Sequence, residues 1–262
     1  NEGKMVLLNG NQTASILTYY ILRRWSELGK LDGNQYIVKT IVTSELLRAI
    51  AEKYGVKVYN VLTGFKWIAD IVKKNEGKTT FVCGGEESYG FLIGDFVRDK
   101  DANSACFMIA EIAAWATEHN KSLYQILKEI YKEFGFYKEG LLSLTKKGIS
   151  GNEEIKNMMF KFRTDPPKSI LGSRVVEIKD YKQGISKDNR LGIETIINLP
   201  KSDVLQFFTE DGTKISIRPS GTEPKIKFYF GIKAKLNNIN DFDKVNEELD
   251  FRLGELSKLF SE

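Results

Sequence analysis

Residues 56–90 read VKVYNVLTGFKWIADIVKKNEGKTTFVCGGEESYG, and this stretch decides the fold. VKVYNVLT is rich in β-branched and aromatic residues and reads as a strand. FKWIADIVKKN spaces its apolar residues for a helix, and TTFVC is strand-like again. Strand, helix and strand in succession are the unit of a parallel sheet covered by helices.

The alternation extends in both directions. Upstream, YIVKTIVT (36–43) reads as a buried strand, and SELLRAIAEKYG (44–55) as a helix capped by Ser44 and stopped by Gly55. Before these, Ile16, Leu17, Tyr20 and Ile21 stand at helical spacing in residues 13–28, with Gly29 as the stop. Residues 5–8 form a short opening strand, with Asn9-Gly10 as turn punctuation. Downstream, SACFMIAEIAAWATEH is apolar enough for a core helix. SLYQILKEIYKEF is amphipathic, with Leu123, Ile126, Leu127, Ile130 and Tyr131 on one face.

After Gly135 the character changes. YKEGLLSLTKKG reads as a strand and NEEIKNMMFKFR as a short helix stopped by Pro166-Pro167. Four strand-like runs follow, RVVEIKDY, VLQFFTED, TKISIR and KIKFYFGIKA, and then an amphipathic helix over 241–260. DYKQGISKDNRLGIET, the most polar stretch, reads as a mobile loop. The expected fold class is therefore α/β: a layered α/β/α domain on a mainly parallel sheet (1–134), then a smaller α+β domain (135–262) with an antiparallel sheet flanked by helices.

Composition narrows the function. The chain has 262 residues, enough for two modest cores, and its net charge of +4 suits an anionic ligand without implying nucleic acid. No apolar run spans a bilayer and no leader pattern opens the chain. Cys83 and Cys106 stand in apolar surroundings and read as buried free thiols, which fits a reducing, cytoplasmic compartment. The single histidine, His119, ends a helical pattern, and no Cys/His metal spacing exists, so triad and zinc chemistry are set aside. Position 1 is Asn, which leads to the expectation that the chain begins inside a longer gene product.

Several loops can carry chemistry. In open parallel sheets, ligands gather beyond the carboxyl ends of the strands. GGEESYG follows a strand there, and Glu86, Glu87 and Ser88 can bond vicinal hydroxyls of a sugar, or can simply be solvated turn residues. Gly84 and Gly85 would let the backbone turn sharply. In DFVRDKDA, Arg98 and Lys100 belong to a surface charge cluster or, folded over a ligand, put a cation near a phosphate. RPSGTEPK (218–225) is either a hairpin turn or an anion cradle. Arg218 offers a rigid fork, Ser220 and Thr222 hydroxyls, Lys225 a compact charge, and Gly221 a positive φ that aims N–H groups at an anion. A nucleic-acid reading, with the KIKFYF aromatics as a stacking surface, is opposed by lysines that alternate with acids.

Taken together and in order, these motifs resemble the α-D-phosphohexomutases, the phosphoglucomutase/phosphomannomutase family. GEESYG (85–90) is similar to that family's sugar-specificity loop, RPSGTEPK to its last-domain phosphate loop, TGFK (63–66) to a substrate-contacting turn, and RDKD (98–101) to a segment lining the cleft. The resemblance implies four domains around a cleft, a phosphoserine, Mg²⁺ and a glucose 1,6-bisphosphate-type activator. The family's Ser-His phosphoserine loop and Asp-x-Asp-x-Asp-Arg metal loop are absent from this sequence, so no metal ligand is assigned here. The chain then corresponds to the third and fourth domains, its partners being a phosphorylated hexose or pentose and the missing N-terminal domains. By resemblance, Thr63, Gly64, Glu86 and Ser88 contact the sugar. Arg218, Ser220, Gly221, Thr222 and Lys225 hold the non-reacting phosphate, and Lys100 is the candidate catalytic cation. The implied activity is phosphosugar mutation between glucose 1-phosphate and glucose 6-phosphate or the mannose equivalents. The fragment alone is expected to be inactive, and the alternative is a non-catalytic phosphosugar-binding module.

Overall fold

The computed structural model describes residues 3, 5–146 and 150–261. Positions 147 and 148, expected as the end of a strand, lie outside them. The chain divides into two compact units, residues 1–137 with 235–242, and residues 138–234 with 243–262.

The first unit begins with helix α1 (Gly10–Glu27), followed by β1 (Gln35–Thr40), α2 (Leu46–Lys53), β2 (Lys57–Val61), α3 (Phe65–Asn75), β3 (Thr80–Glu86), β4 (Gly90–Ile93), α4 (Ala102–Glu118) and α5 (Leu123–Phe134). Its sheet runs β2-β1-β3-β4. The β1–β2 and β1–β3 pairs are parallel, and β4 folds back antiparallel on β3. On one face Tyr36, Val38, Val61, Phe81 and Leu92 pack against Phe65, Ile68 and Val72 of α3. Each such side chain stabilises the unit by about 1.5–3 kcal/mol. α1 and α2 cover the sheet from the other side, with α4 and α5 packed beside them.

Local chemistry corrects several expectations. Residues 5–9 form no strand; Met5 and Leu7 are exposed, because no neighbouring strand offers them a ladder. Asn9-Gly10 is not a turn but a helix start. The Asn9 side chain accepts from the Gln12 N–H while Gln12 Oε1 accepts from the Asn9 N–H, a capping box that lengthens α1. Gly84 and Gly85 do not turn the chain; they lie in β3, where a Cβ on Gly84 would stand 2.6 Å from the Val38 carbonyl oxygen. α4 is not a core helix, since only Ile112 and Ala116 are buried along it and Phe107 is 72% exposed. Its small apolar side chains pack from one side of the unit only, and Cys106 is exposed with them. Cys83 is buried and both thiols are free. His119 sits exposed at the end of α4, as the sequence implied.

The second unit comprises β5 (Phe136–Thr145, whose first two residues belong to the other unit), α6 (Gly151–Thr164), β6 (Ser169–Ile170), β7 (Ser173–Asp180), β8 (Ile185–Asp188), β9 (Ile193–Ile196), β10 (Leu205–Thr209), β11 (Lys214–Pro219), β12 (Lys225–Ala234) and α7 (Phe242–Ser261, from Asp243 onward). The sheet order is β5-β12-β11-β10-β7-β8-β9, with β6 beside β7. The polar stretch expected as a mobile loop is ordered as β8 and β9, an antiparallel hairpin in which Asp188 accepts from the backbone N–H of Arg190 and Leu191. Phe162, Phe207, Phe228, Phe230 and Phe260 interlock as the aromatic core, with ring centroids 5.4–6.3 Å apart. That use of Phe228 and Phe230, with Tyr229 also buried, removes the stacking surface a nucleic-acid reading requires. The architecture is α/β: a helix-covered mixed sheet, then an antiparallel sheet with helices. No helix among the described residues is long and apolar enough to cross a membrane.

Candidate functional site

In the first unit, the carboxyl ends of β1, β2 and β3 converge. After β2, Gly64 adopts φ +114°, a backbone state that L side chains rarely take, and so starts α3 immediately after the strand. The freed Gly64 N–H donates to Glu86 Oε1 at 2.7 Å. The TGFK turn and the GEESYG loop, 22 residues apart in sequence, are thus joined by one hydrogen bond. Lys100 stands at the same place. Its ammonium lies 5.4 Å from the Phe65 ring centroid, its stem passes Gly90, and among the described residues its ion pair is with exposed Asp99 at 3.2 Å. Ser88 is exposed, and its hydroxyl makes no hydrogen bond among the described residues. Thr63, Gly64, Glu86, Ser88 and Lys100 therefore lie along one edge of the sheet.

Glu87, read from the sequence as a sugar ligand beside Glu86, points elsewhere. Its Oε2 accepts from Thr40 and Thr43 at 3.4 and 3.3 Å, and those two hydroxyls are 2.8 Å apart. Burial raises the Glu87 carboxyl above its ordinary value, with the Glu86 charge adding to the rise, while its own backbone N–H and the two threonines pull the other way. An acid raised in the folded state contributes fully below the ordinary value of about 4.3 and loses that contribution as pH climbs through the folded value. Glu87→Gln, which stays neutral, is expected to melt higher than the wild type at pH 7 and level with it at pH 3. Thermal scans across that range check it, and a lower melting point at pH 7 would contradict it.

Other members of the motifs play structural parts. Arg98 ion-pairs with Glu76 at 2.7 Å, away from Lys100's neighbours, and Asp101 caps α4 by accepting from the N–H groups of Asn103 and Ser104.

In the second unit, RPSGTEPK is the connection between β11 and β12. The Ser220 N–H donates to the Lys225 carbonyl and the Lys225 N–H to the Glu223 carbonyl, both at 2.7 Å, which closes the turn. Ser220 Oγ and Thr222 Oγ1 lie 3.4 Å apart at the tip, and Lys225 pairs with Glu223 at 2.9 Å. Gly221 does not use a positive φ, and a Cβ there would meet nothing within 4 Å, so the expected nest geometry is absent. The strand register places Lys227 directly opposite Arg218. Neither side chain has a hydrogen bond or ion pair among the described residues. Like charges facing each other across a ladder destabilise it, and an anion bound between them would relieve that cost.

The sequence reading missed Thr40, Thr43 and Lys227. The first two sit at the carboxyl end and following turn of a parallel strand, the place where the sheet rule directs attention. Lys227 follows from alternation once the hairpin length is known. Among the described residues no group of three or more His, Cys, Asp or Glu could hold a metal ion.

A helix-covered mixed sheet with a carboxylate loop at its edge is thus followed by an antiparallel unit with a cationic hairpin. Residues 9–134 match phosphoglucomutase/phosphomannomutase, alpha/beta/alpha domain III, and residues 163–241 match the phosphoglucomutase/phosphomannomutase C-terminal domain. A phosphoglucomutase of Staphylococcus aureus (strain bovine RF122 / ET3-1) is 36% identical over 251 residues, which is 95% of this chain and 43% of the relative. One from Staphylococcus haemolyticus (strain JCSC1435) is 33% identical over the same shares. The chain thus spans less than half the length of these relatives. Among solved structures, the open form of Paramecium parafusin, a phosphoglucomutase, superposes with a TM-score of 0.59 at 16% identity, covering 95% of this chain and 42% of that one, a likeness of fold. The chain belongs to the phosphoglucomutase/phosphomannomutase family.

Proposed function

We propose that this chain is the sugar- and phosphate-binding part of a phosphosugar mutase that interconverts glucose 1-phosphate and glucose 6-phosphate. The observation that carries the reading is the Arg218–Lys227 pair, two facing cations without a partner among the described residues, in a hairpin that also presents Ser220 and Thr222. Residues 1–134 are assigned the sugar loop and 135–262 the phosphate loop. Glu86 spends Oε1 on the Gly64 N–H, which leaves Oε2 to accept from a sugar hydroxyl, and Ser88 can donate or accept beside it. Thr63 and Gly64 set the floor of that subsite. Lys100 carries its charge on a stem packed along Phe65 and Gly90, suited to steadying an anionic oxygen. Arg218 supplies a planar fork, Lys227 and Lys225 point charges, and Ser220, Gly221 and Thr222 the turn donors, for a phosphate that does not react.

In this reading the phosphoserine and the Mg²⁺ ligands belong to polypeptide beyond these residues, the activator is a glucose 1,6-bisphosphate, and the setting is cytoplasmic. The chain by itself then acts as a phosphosugar-binding module. Calorimetry is expected to show glucose 1-phosphate bound by the purified chain and displaced by excess inorganic phosphate. A coupled assay with Mg²⁺ and glucose 1,6-bisphosphate is expected to show no turnover. Turnover that copurifies with the chain, or no glucose 1-phosphate binding at millimolar concentration, would overturn the assignment.

A further inference from the structure

The segment 86–89 is anchored at every residue except Ser88. Glu86 is held by the Gly64 N–H. The Tyr89 hydroxyl donates to the Leu8 carbonyl at 2.9 Å, and its backbone is in the left-handed region at φ +66°, which costs a non-glycine residue about 1–2 kcal/mol. The Glu87 carbonyl rests on the first turn of α1, so closely that Gly10 has no room for a Cβ. The remaining anchor is the Glu87 carboxyl, turned back toward the β1–α2 turn and away from the exposed Ser88 side chain.

The partners of that carboxyl are themselves fixed from beneath. Lys39, fully buried on β1, donates to the Thr43 carbonyl at 3.2 Å and to Glu45 Oε1 at 2.9 Å, and reaches the Thr40 carbonyl at 3.5 Å. The Asn11 side chain of α1 accepts from the Ser44 N–H at 2.9 Å. The turn carrying the two hydroxyls is therefore tied to the sheet and to α1 before Glu87 arrives. Thr40 and Thr43 have two hydroxyl protons between them. An apolar side chain at position 87 would remove the carboxylate that both hydroxyls face.

We infer that Glu87 is a positioning residue of the sugar loop: its bond to Thr40 and Thr43, braced by Lys39, sets the direction in which Glu86 and Ser88 face a sugar's hydroxyls. The inference rests on the sugar-phosphate reading above and adds a residue that touches no ligand itself. A carboxylate and a hydroxyl on a short loop discriminate hydroxyl positions only if the loop has one orientation, because each alternative orientation dilutes the binding-competent state. The chemistry recognised is that of neighbouring hydroxyls on a pyranose ring, distinct from the phosphate group.

The test is calorimetry of the whole chain with two probes, glucose 1-phosphate and inorganic phosphate. Glu87→Ala is expected to weaken glucose 1-phosphate about tenfold, which corresponds to about 1.4 kcal/mol, while inorganic phosphate stays within about twofold. Glu87→Gln keeps an acceptor for the threonine hydroxyl and is expected to restore glucose 1-phosphate to within about threefold of the wild type. Thr40→Val combined with Thr43→Val removes both donors from the other side and is expected to reproduce the Glu87→Ala loss, which covers the case in which Glu87→Ala does not fold. Unchanged glucose 1-phosphate affinity in folded Glu87→Ala or in the folded double valine variant would overturn the inference, as would an equal loss for both probes. A wild type that binds inorganic phosphate and glucose 1-phosphate equally would instead remove the sugar subsite itself, and the inference with it.

Discussion

Arg218→Ala is expected to weaken glucose 1-phosphate and inorganic phosphate alike, by roughly 1.5–3 kcal/mol, the range for hydrogen bonds to a charged group. The guanidinium stands opposite Lys227 on the β11–β12 ladder and has no partner among the described residues, so no hydrogen bond or ion pair of the fold is lost with it. Removing one of two facing cations relieves a repulsion. The variant should therefore melt at or slightly above the wild-type temperature while it binds about ten- to a hundredfold more weakly. Loss of binding without loss of stability is the signature of a ligand-facing charge. A structural arginine such as Arg163, half-buried and paired with Asp180 at 3.1 Å, would show the reverse. Calorimetry beside a thermal melt decides between them, and an unchanged phosphate affinity would remove the hairpin from the anion site.

How much of this could be read from the sequence depended on the range of the interaction. The helices were legible because periodicity and caps are local. In α5 the face predicted from spacing is the buried one at Ile126, Leu127, Ile130 and Tyr131. β4 was not legible, since GFLI is short and its partner is the preceding strand across the Glu86–Gly90 hairpin. The β8–β9 hairpin was hidden for a related reason. β9 is exposed along its whole length and the one buried residue of β8 is the polar Ser186, so alternation carries no signal there. α4 misled in the opposite direction, because apolar composition is not burial. Among the candidate site residues, Glu86 and Arg218 are picked out by motif chemistry. The inward turn of Glu87 depends on hydroxyls more than 40 residues away in the chain, and no local pattern announces it.

Gly10→Ala is the substitution expected to cost the fold most for the fewest atoms. Alanine is ordinarily the better helix former by about 1 kcal/mol, and Gly10 is the first residue of α1, so propensity alone favours the change. The contact overrides it. A Cβ at Gly10 would stand 1.8 Å from the Glu87 carbonyl oxygen, 2.6 Å from its carbon and 3.1 Å from the Tyr89 N–H nitrogen. All three are backbone atoms, so no rotamer change clears the space, and either the first turn of α1 or the hairpin between β3 and β4 must move. By contrast, a Cβ at Gly254 in α7 would meet nothing within 4 Å, which locates the constraint at this contact and not in glycine within helices generally. Overpacking of a rigid site costs about 1–3 kcal/mol or more. For a chain of this length about 3 kcal/mol corresponds to a drop of roughly 6–12 °C in melting temperature. The displaced hairpin is the one that carries Glu86, Glu87 and Ser88, so glucose 1-phosphate affinity should fall with stability while inorganic phosphate, held by the second unit's hairpin, is retained. A melting temperature within a degree of the wild type would mean that the helix and loop part easily. A loop so loosely seated would not hold Glu86 and Ser88 in one orientation, and the sugar subsite would have to be built some other way.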